Sequence, residues 1–324
     1  MSSEHALPER RNTCSTEIDA LPTIEVLRVI NAEDERVPRA VARALPKVAT
    51  LVDVAVAALL DGHRVHYFGA GTSGRLAVID AAELPPTYGI ARDRVVPHYA
   101  GGLRALAAPA LAEDDDPGAA DSDDGMGAMG GLDAAEVAGG DVTIGVAVNG
   151  RSRYVAGALQ VSAARGAYVG LISGSAAAPP GVPIGTHIAL ETGPEVIGGT
   201  PPMKAGTAAK LVLNAFSTAT MVRLGHTYSN LMIGVAKTNA KLRRRVVRIL
   251  IEATGLPAAE CERALAEADG DTRTALVALL GEVPPGRATM ALRAGRGSVR
   301  EALRWLHAAD ERPCSAPGAQ AASG

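Results

Sequence analysis

The stretch from Tyr67 to Glu83 limits what this chain can fold into more than any other. It reads Tyr67-Phe68-Gly69-Ala70-Gly71-Thr72-Ser73-Gly74-Arg75, continues through Leu76-Ala77-Val78-Ile79-Asp80-Ala81-Ala82-Glu83, and meets Pro85-Pro86. A β-rich run over Val65–Phe68 enters a turn with three glycines and two hydroxyls, and an apolar run with helical spacing leaves it. Glycine lets the backbone approach an anion closely, and a helix start offers unpaired N–H groups and positive dipole. Gly71, Thr72, Ser73, Gly74 and Arg75 therefore form a candidate seat for a phosphate.

The spacing of Gly69, Gly71 and Gly74 also fits the dinucleotide pattern G-x-G-x-x-G. That pattern wants an acidic residue at the end of the next strand. The next strand candidate, Val95–Tyr99, ends in Ala100-Gly101-Gly102, and Asp80 and Glu83 lie near the expected offset but on the helix. Thr72 and Ser73 suit a terminal phosphate with three oxygens to satisfy. A small phosphorylated ligand is the expectation; a nucleotide and a ligand-free strand–helix turn are the alternatives.

Helices come first: Thr23–Asn31, then about Pro38–Leu60, which Pro46 is expected to kink or split. Strand Val65–Phe68, helix 73–83, strand Val95–Tyr99 and a helix over about 103–112 follow. An acidic, glycine-rich stretch from Glu113 to Gly131 reads as a loop. Strand Val142–Val148, helix Arg153–Ala164, and strands Tyr168–Ile172 and Ile184–Leu190 complete the alternation. Five strands mostly separated by helices predict an α/β fold, a mainly parallel five-stranded sheet flanked by helices on both faces. Beyond Leu190 the reading is helical: Met203–Leu224, Tyr228–Val247, 257–268, 271–281 and 297–308. The expected organisation is an arm over 1–20, a catalytic domain over 21–250, a small all-helical domain over 251–308, and a disordered tail over 309–324.

Composition excludes several classes. Hydrophobic residues are 47% of the 324, enough for a core, and the net charge of −3 gives no reason to propose nucleic acid. No apolar run reaches the roughly 20 residues that span a bilayer. The polar start of the chain is unlike a signal sequence, and Cys14, Cys261 and Cys314 show no metal-type spacing, so reduced thiols and a cytoplasmic location are expected. Aromatic residues are 3%, so a ligand would be held by polar and backbone groups rather than by stacking.

Two carboxylates could do chemistry. Pro85 disfavours helix at the residue before it, so the helix is expected to stop at about Glu83. There the negative end of the dipole and the apolar neighbours Ala81, Ala82 and Leu84 would raise its pKa, as a general acid requires. A solvated Glu at a helix end is the plain alternative. Glu113 opens a run with Asp114, Asp115 and Asp116; turned inward, it would be a usable base, and otherwise the run is a solvated loop. The turn Asn149-Gly150-Arg151-Ser152-Arg153 lies at the same sheet edge as the first, where it could complete a phosphate site or cap the next helix. Gly193-Pro194-Glu195 offers one more carboxylate at that edge. The seven histidines form no convincing metal-ligand cluster in the sequence, and no metal is expected.

These residues resemble a family. Gly69–Arg75 with Asp80-Ala81-Ala82-Glu83-Leu84-Pro85-Pro86-Thr87-Tyr88-Gly89 is similar to the signature of the N-acetylmuramic acid 6-phosphate etherases, built on the sugar-isomerase (SIS) domain. Ile30-Asn31, Glu33-Asp34, Val37-Pro38, Ala100-Gly101-Gly102 and Ala112-Glu113-Asp114 add to it, as do Gly193-Pro194-Glu195-Val196 and Met203-Lys204-Ala205-Gly206-Thr207-Ala208. Lys210–Asn214, Ser217-Thr218, Asn230–Met232, Thr238-Asn239 and Lys241-Leu242 complete a likeness over about residues 12–308.

The resemblance implies cleavage of a D-lactyl ether by elimination and water addition, without metal or nucleotide cofactor. It places the catalytic carboxylates on Glu83, as proton donor to the leaving oxygen, and Glu113, as base. It adds Glu195 and Lys204 to the binding set of Gly71–Arg75 and Asn149–Ser152. Two turns depart from the pattern. Asn149-Gly150-Arg151-Ser152-Arg153 stands where the family usually has Ser-Gly-Arg-Thr-Pro. Gly198-Gly199-Thr200-Pro201-Pro202 stands where it has Thr-Gly-Ser-Thr/Ser-Arg. Each hydrogen bond to a charged group lost this way is worth about 1.5–3 kcal/mol, which retunes binding without abolishing it.

Glu83 lies nine residues beyond Gly74, about 13–14 Å along a helix, about twice the span of a hexose phosphate. Glu83 is therefore expected to act on a sugar phosphate held by a neighbouring subunit's glycine turn, in a homodimer with shared sites. A non-catalytic sugar-phosphate sensor resembling the glucokinase regulatory protein and an aldose–ketose isomerase are the competing readings.

Overall fold

The computed structural model describes residues 11–107, 133–148, 152–234 and 240–310. Glu113, Asn149, Gly150 and Arg151 lie outside the described residues, as do the acidic stretch and the tail beyond Asp310. The described chain divides into two compact units, one of Ile90–Arg223 with the chain up to Pro86, the other of Thr87–Gly89 with the chain from Leu224 onward.

The first unit is built on a parallel sheet in the order β2-β1-β3-β4-β5, comprising β1 (Val65–Gly69), β2 (Val95–Tyr99), β3 (Val142–Ala147), β4 (Tyr168–Ser173) and β5 (Thr186–Ala189). Val65 registers with Val95 on one side and Val142 on the other, so the first and third strand ends lie side by side. β1 and β3 are buried along their whole length, because helices cover both faces and no position needs to be polar. Pro97 is confined to the edge strand β2, where a missing N–H costs least. The fold class expected from the alternation is the one present.

Around the sheet lie α1 (Thr23–Asp34), α2 (Arg36–Leu60), α3 (Gly71–Tyr88), α4 (Gly102–Ala107), α5 (Arg153–Ala164) and α6 (Lys204–Arg223). Three local expectations are corrected here. α2 runs unbroken through Pro46, which sits on the exposed face where the carbonyl it deprives, that of Ala42, can reach water. α3 does not stop at Glu83: it continues through Pro85 and Pro86 to Tyr88, ending at Gly89 with φ +69. Consecutive prolines hold φ near the helical value, so the helix loses two donors but keeps its course. The arm is not structureless from residue 11 on: Asn12 and Ser15 are buried, and Ser15 donates to Val196 O at 2.6 Å.

The second unit holds a short hairpin, β6 (Thr227–Tyr228) and β7 (Leu231–Met232), then α7 (Ala240–Thr254), α8 (Ala258–Glu267), α9 (Thr272–Leu280), α10 (Pro285–Ala294) and α11 (Val299–Asp310). The hairpin replaces the start of the helix expected over Tyr228–Val247, because Ser229 takes φ +53 and turns the chain. α10 went unread in the sequence, since Pro284-Pro285-Gly286 reads as a breaker; Pro285 in fact occupies the first helical turn, where it is tolerated. Val246, Val247, Ile249 and Leu250 of α7 pack with Leu265, Leu276 and Leu306 in this unit's core, so the helical unit begins well before residue 251.

Candidate functional site

The carboxyl edge of the sheet gathers the turns after β1 and β2 and the end of β3 at Val148. Gly69 and Gly74 are there for contact: a Cβ on Gly69 would lie 2.6 Å from Gly74 Cα, and one on Gly74 2.5 Å from Gly69 O. Gly71 is there for conformation, with φ +52 at the first residue of α3. Gly74 N–H donates to Ala70 O, but the N–H groups of Gly71, Thr72 and Ser73 find no acceptor among the described residues. Three donors with no acceptor among the described residues, at the positive end of an eighteen-residue helix, can hold an anion.

Ser73 is buried, and its Oγ accepts the N–H of Val148 at 3.1 Å, tying the first turn to the end of the third strand. That leaves its hydroxyl proton available to a ligand. Arg75 stacks its guanidinium 6.0 Å over the Tyr99 ring. Ser152 caps α5, its Oγ accepting from Val155 N at 3.3 Å, which is the capping alternative weighed for that residue.

A second helix start comes close: a Cβ on Gly206, in the first turn of α6, would sit 4.0 Å from Thr72 Cγ2. This end carries its own anion. The Glu195 carboxylate accepts from Met203 N at 3.0 Å, Lys204 N at 2.9 Å and Ala205 N at 3.1 Å. Lys204, fully buried, bonds through Nζ to Glu33, which also accepts from Asn12 Nδ2 at 2.9 Å and lies 3.4 Å from Arg36. Burial pushes the Glu33 carboxyl up, but Lys204, Asn12 and Arg36 outweigh it and hold the pKa below the usual value. Glu195 and Lys204, expected to hold substrate, have partners inside the chain, the first N–H groups of α6 and the buried carboxylate of Glu33.

Glu83 meets neither condition set for it, since α3 runs on past it and its side chain is exposed. The buried acid on this helix is Asp80, one turn earlier. It accepts from Ser217 Oγ at 3.1 Å and Tyr67 OH at 3.2 Å, with Lys210 Nζ 3.9 Å away. Burial raises its pKa to about 6 against those three groups, and the nearby Glu83 adds to the rise. In the sequence Asp80 stands as a ribose-ligand candidate on the wrong element and as the first residue of the Asp80–Gly89 signature; neither says that it turns inward.

Some of the histidines read as scattered come together. His66 lies 3.0 Å from His98 Nε2 and 3.3 Å from Asp141 Oδ2. With His66 Nε2–H donating to Asp141, its Nδ1 can accept from His98, so both rings are neutral. Burial and the His66 neighbour lower the His98 pKa to about 4.

A family model described as the glucokinase regulatory protein N-terminal SIS domain matches residues 47–163. The chain is 55% identical over 272 residues to an N-acetylmuramic acid 6-phosphate etherase of Thermobifida fusca, covering 84% of this chain and 86% of that one. It is 43% identical to the protein of that name from Aeromonas hydrophila, over 91% of this chain and 96% of that one. With the one from Halalkalibacterium halodurans the identity is 42%, over 92% and 98%.

Proposed function

The chain belongs to the N-acetylmuramic acid 6-phosphate etherase family, and from that membership we propose how its parts cleave the lactyl ether of this sugar phosphate. The activity is that of an etherase, a carbon–oxygen lyase. The sensor and isomerase readings are not favoured, because relatives matching over most of the chain carry the etherase name.

In our reading the 6-phosphate sits on the N–H groups of Gly71, Thr72 and Ser73, with the Ser73 hydroxyl donating and Arg75 supplying charge. This single observation supports the reading best: unfilled donors at a helix start, beside a second helix start already neutralised by Glu195. Gly74 keeps the turn tight by packing on Gly69. Asn149, Gly150, Arg151 and Ser152 would close the site from the next turn.

The chemistry proceeds in two steps. Glu113, as base, takes the C2 proton while the C3–oxygen bond breaks and Glu83 protonates the departing lactyl oxygen. Water then adds at C3 of the unsaturated sugar, giving N-acetylglucosamine 6-phosphate and D-lactate. The exposure of Glu83, and the roughly 13–14 Å of helix between it and Gly74, favour a homodimer in which Glu83 serves the phosphate seat of the other subunit. The location we propose is the cytoplasm, in amino-sugar recycling; among the described residues no helix is long and apolar enough to cross a membrane.

Incubation of the purified protein with N-acetylmuramic acid 6-phosphate, followed by a lactate assay, tests this. Lactate release that falls about 10²–10⁴-fold in E83Q, the usual range for a general acid, is expected. No lactate from the unaltered protein would sink the reading.

A further inference from the structure

The helical second unit contains a cavity of about 570 Å³, within the range of small-molecule sites. Its wall carries Arg273, Arg293 and Arg296 against a single carboxylate, Asp271. That carboxylate is already engaged, since Asp271 Oδ2 accepts the N–H of Thr274 at 2.9 Å as the cap of α9. Three guanidinium groups therefore face one committed acid.

Arg273 is held in place by a neutral partner, and the Asp271 carboxylate acts on it only from beyond ion-pair distance. Its Nη2 lies 2.8 Å from His226 Nδ1, and no carboxylate among the described residues comes within ion-pair distance of it. The same Nδ1 lies 2.6 Å from Tyr88 O. One ring nitrogen cannot donate to Tyr88 and accept from Arg273 together, so either the guanidinium or the carbonyl is left short. Burial, and then the Arg273 charge, lower the His226 pKa to about 4, so the ring is neutral and supplies no counter-charge. A partly buried guanidinium facing a neutral ring is costly unless an anion completes it.

The surrounding backbone makes room for that anion. Gly297, at φ +83, leaves Arg273 its place; a Cβ there would come within 3.1 Å of Nη1. Arg296 stands in the left-handed region at φ +51, uncommon for a non-glycine residue, in the turn that carries it to the cavity. Neither Arg293 nor Arg296 has an acidic partner among the described residues. At the start of α9 the N–H groups of Thr272 and Arg273 also have no acceptor there.

We propose that this cavity is a second anion site, taking a phosphate or small phosphate monoester on Arg273, Arg293, Arg296 and the first N–H groups of α9. Guanidinium forks match phosphate oxygens two at a time, and the volume beyond one phosphate accommodates a short hydroxylated body.

Calorimetric titration of the full chain with inorganic phosphate and with glycerol 3-phosphate tests the proposal. The unaltered protein, R293Q/R296Q and the glycine-turn variant T72A/R75A are compared. The two exposed arginines are chosen so that folding survives, checked by circular dichroism. Two binding events per chain are expected in the unaltered protein. R293Q/R296Q should weaken one of them at least about tenfold, with T72A/R75A removing the other. Isotherms of R293Q/R296Q that superimpose on the unaltered protein, or loss of all binding in T72A/R75A, would overturn it. Lactate release is not the readout, so the outcome is independent of the etherase reading.

Discussion

Ser217 donates its hydroxyl to Asp80 Oδ1 at 3.1 Å, and this buried contact fastens α6 to α3 one turn ahead of Glu83. With Tyr67 on the other oxygen, both sides of the carboxyl are occupied. Its pKa stands at about 6 instead of 3.8, so the folded state prefers it protonated. The stability this gives is complete below pH 3.8 and is lost as pH rises through about 6. Urea unfolding should show the unaltered protein losing roughly 1–2 kcal/mol between pH 5 and 8 relative to D80N. Parallel pH profiles of the two proteins would refute the assignment.

Lys204 and Glu33 form a buried ion pair between residues 171 apart in the chain. Replacing the lysine by methionine leaves the carboxylate buried with only the Asn12 amide and the half-exposed Arg36 beside it, at a cost of about 3–5 kcal/mol. The double variant E33Q/K204M removes both charges and should recover more than half of that. If K204M melts like the unaltered protein, the pair is not holding the unit together.

Gly69 has no room for a side chain. An added methyl would meet Gly74 Cα at 2.6 Å and Gly74 N at 2.8 Å, both backbone atoms that cannot swing away. G69A should cost at least about 1–3 kcal/mol by overpacking and displace the N–H groups of Gly71–Ser73. The measurement is a thermal melt alongside lactate release, with the release expected to fall by more than tenfold. Full activity in a destabilised protein would separate the turn from the phosphate.

Sharing of the site between subunits predicts complementation. E83Q and T72A/R75A are each expected to be nearly inactive alone. Mixed in equal amounts and allowed to reassociate, half of the dimers would be hybrids with one intact site each, restoring about a quarter of full lactate release. Mixtures no more active than their components would place each Glu83 with its own glycine turn, or remove it from catalysis.

The amino-acid sequence by itself determined the parallel sheet, the glycine turn opening α3 and the helical character of the C-terminal part. Those features are written in local periods, in which apolar runs of strand length alternate with helical spacing and glycines stand where the backbone must come close or turn. It did not determine where side chains of equal local standing would go. Asp80 and Glu83 share one helix, yet one is buried under Ser217 and Tyr67 while the other faces solvent. Lys204 and Glu195 stand in a motif like that of a binding site, but their partners are Glu33 and the start of α6. Pro85 and Pro86 read as a stop and are helix; Ser229 reads as helix and is a turn. Such outcomes rest on contacts between segments far apart in the chain, which no local pattern carries. They emerge only when packing decides which polar group must find its partner inside.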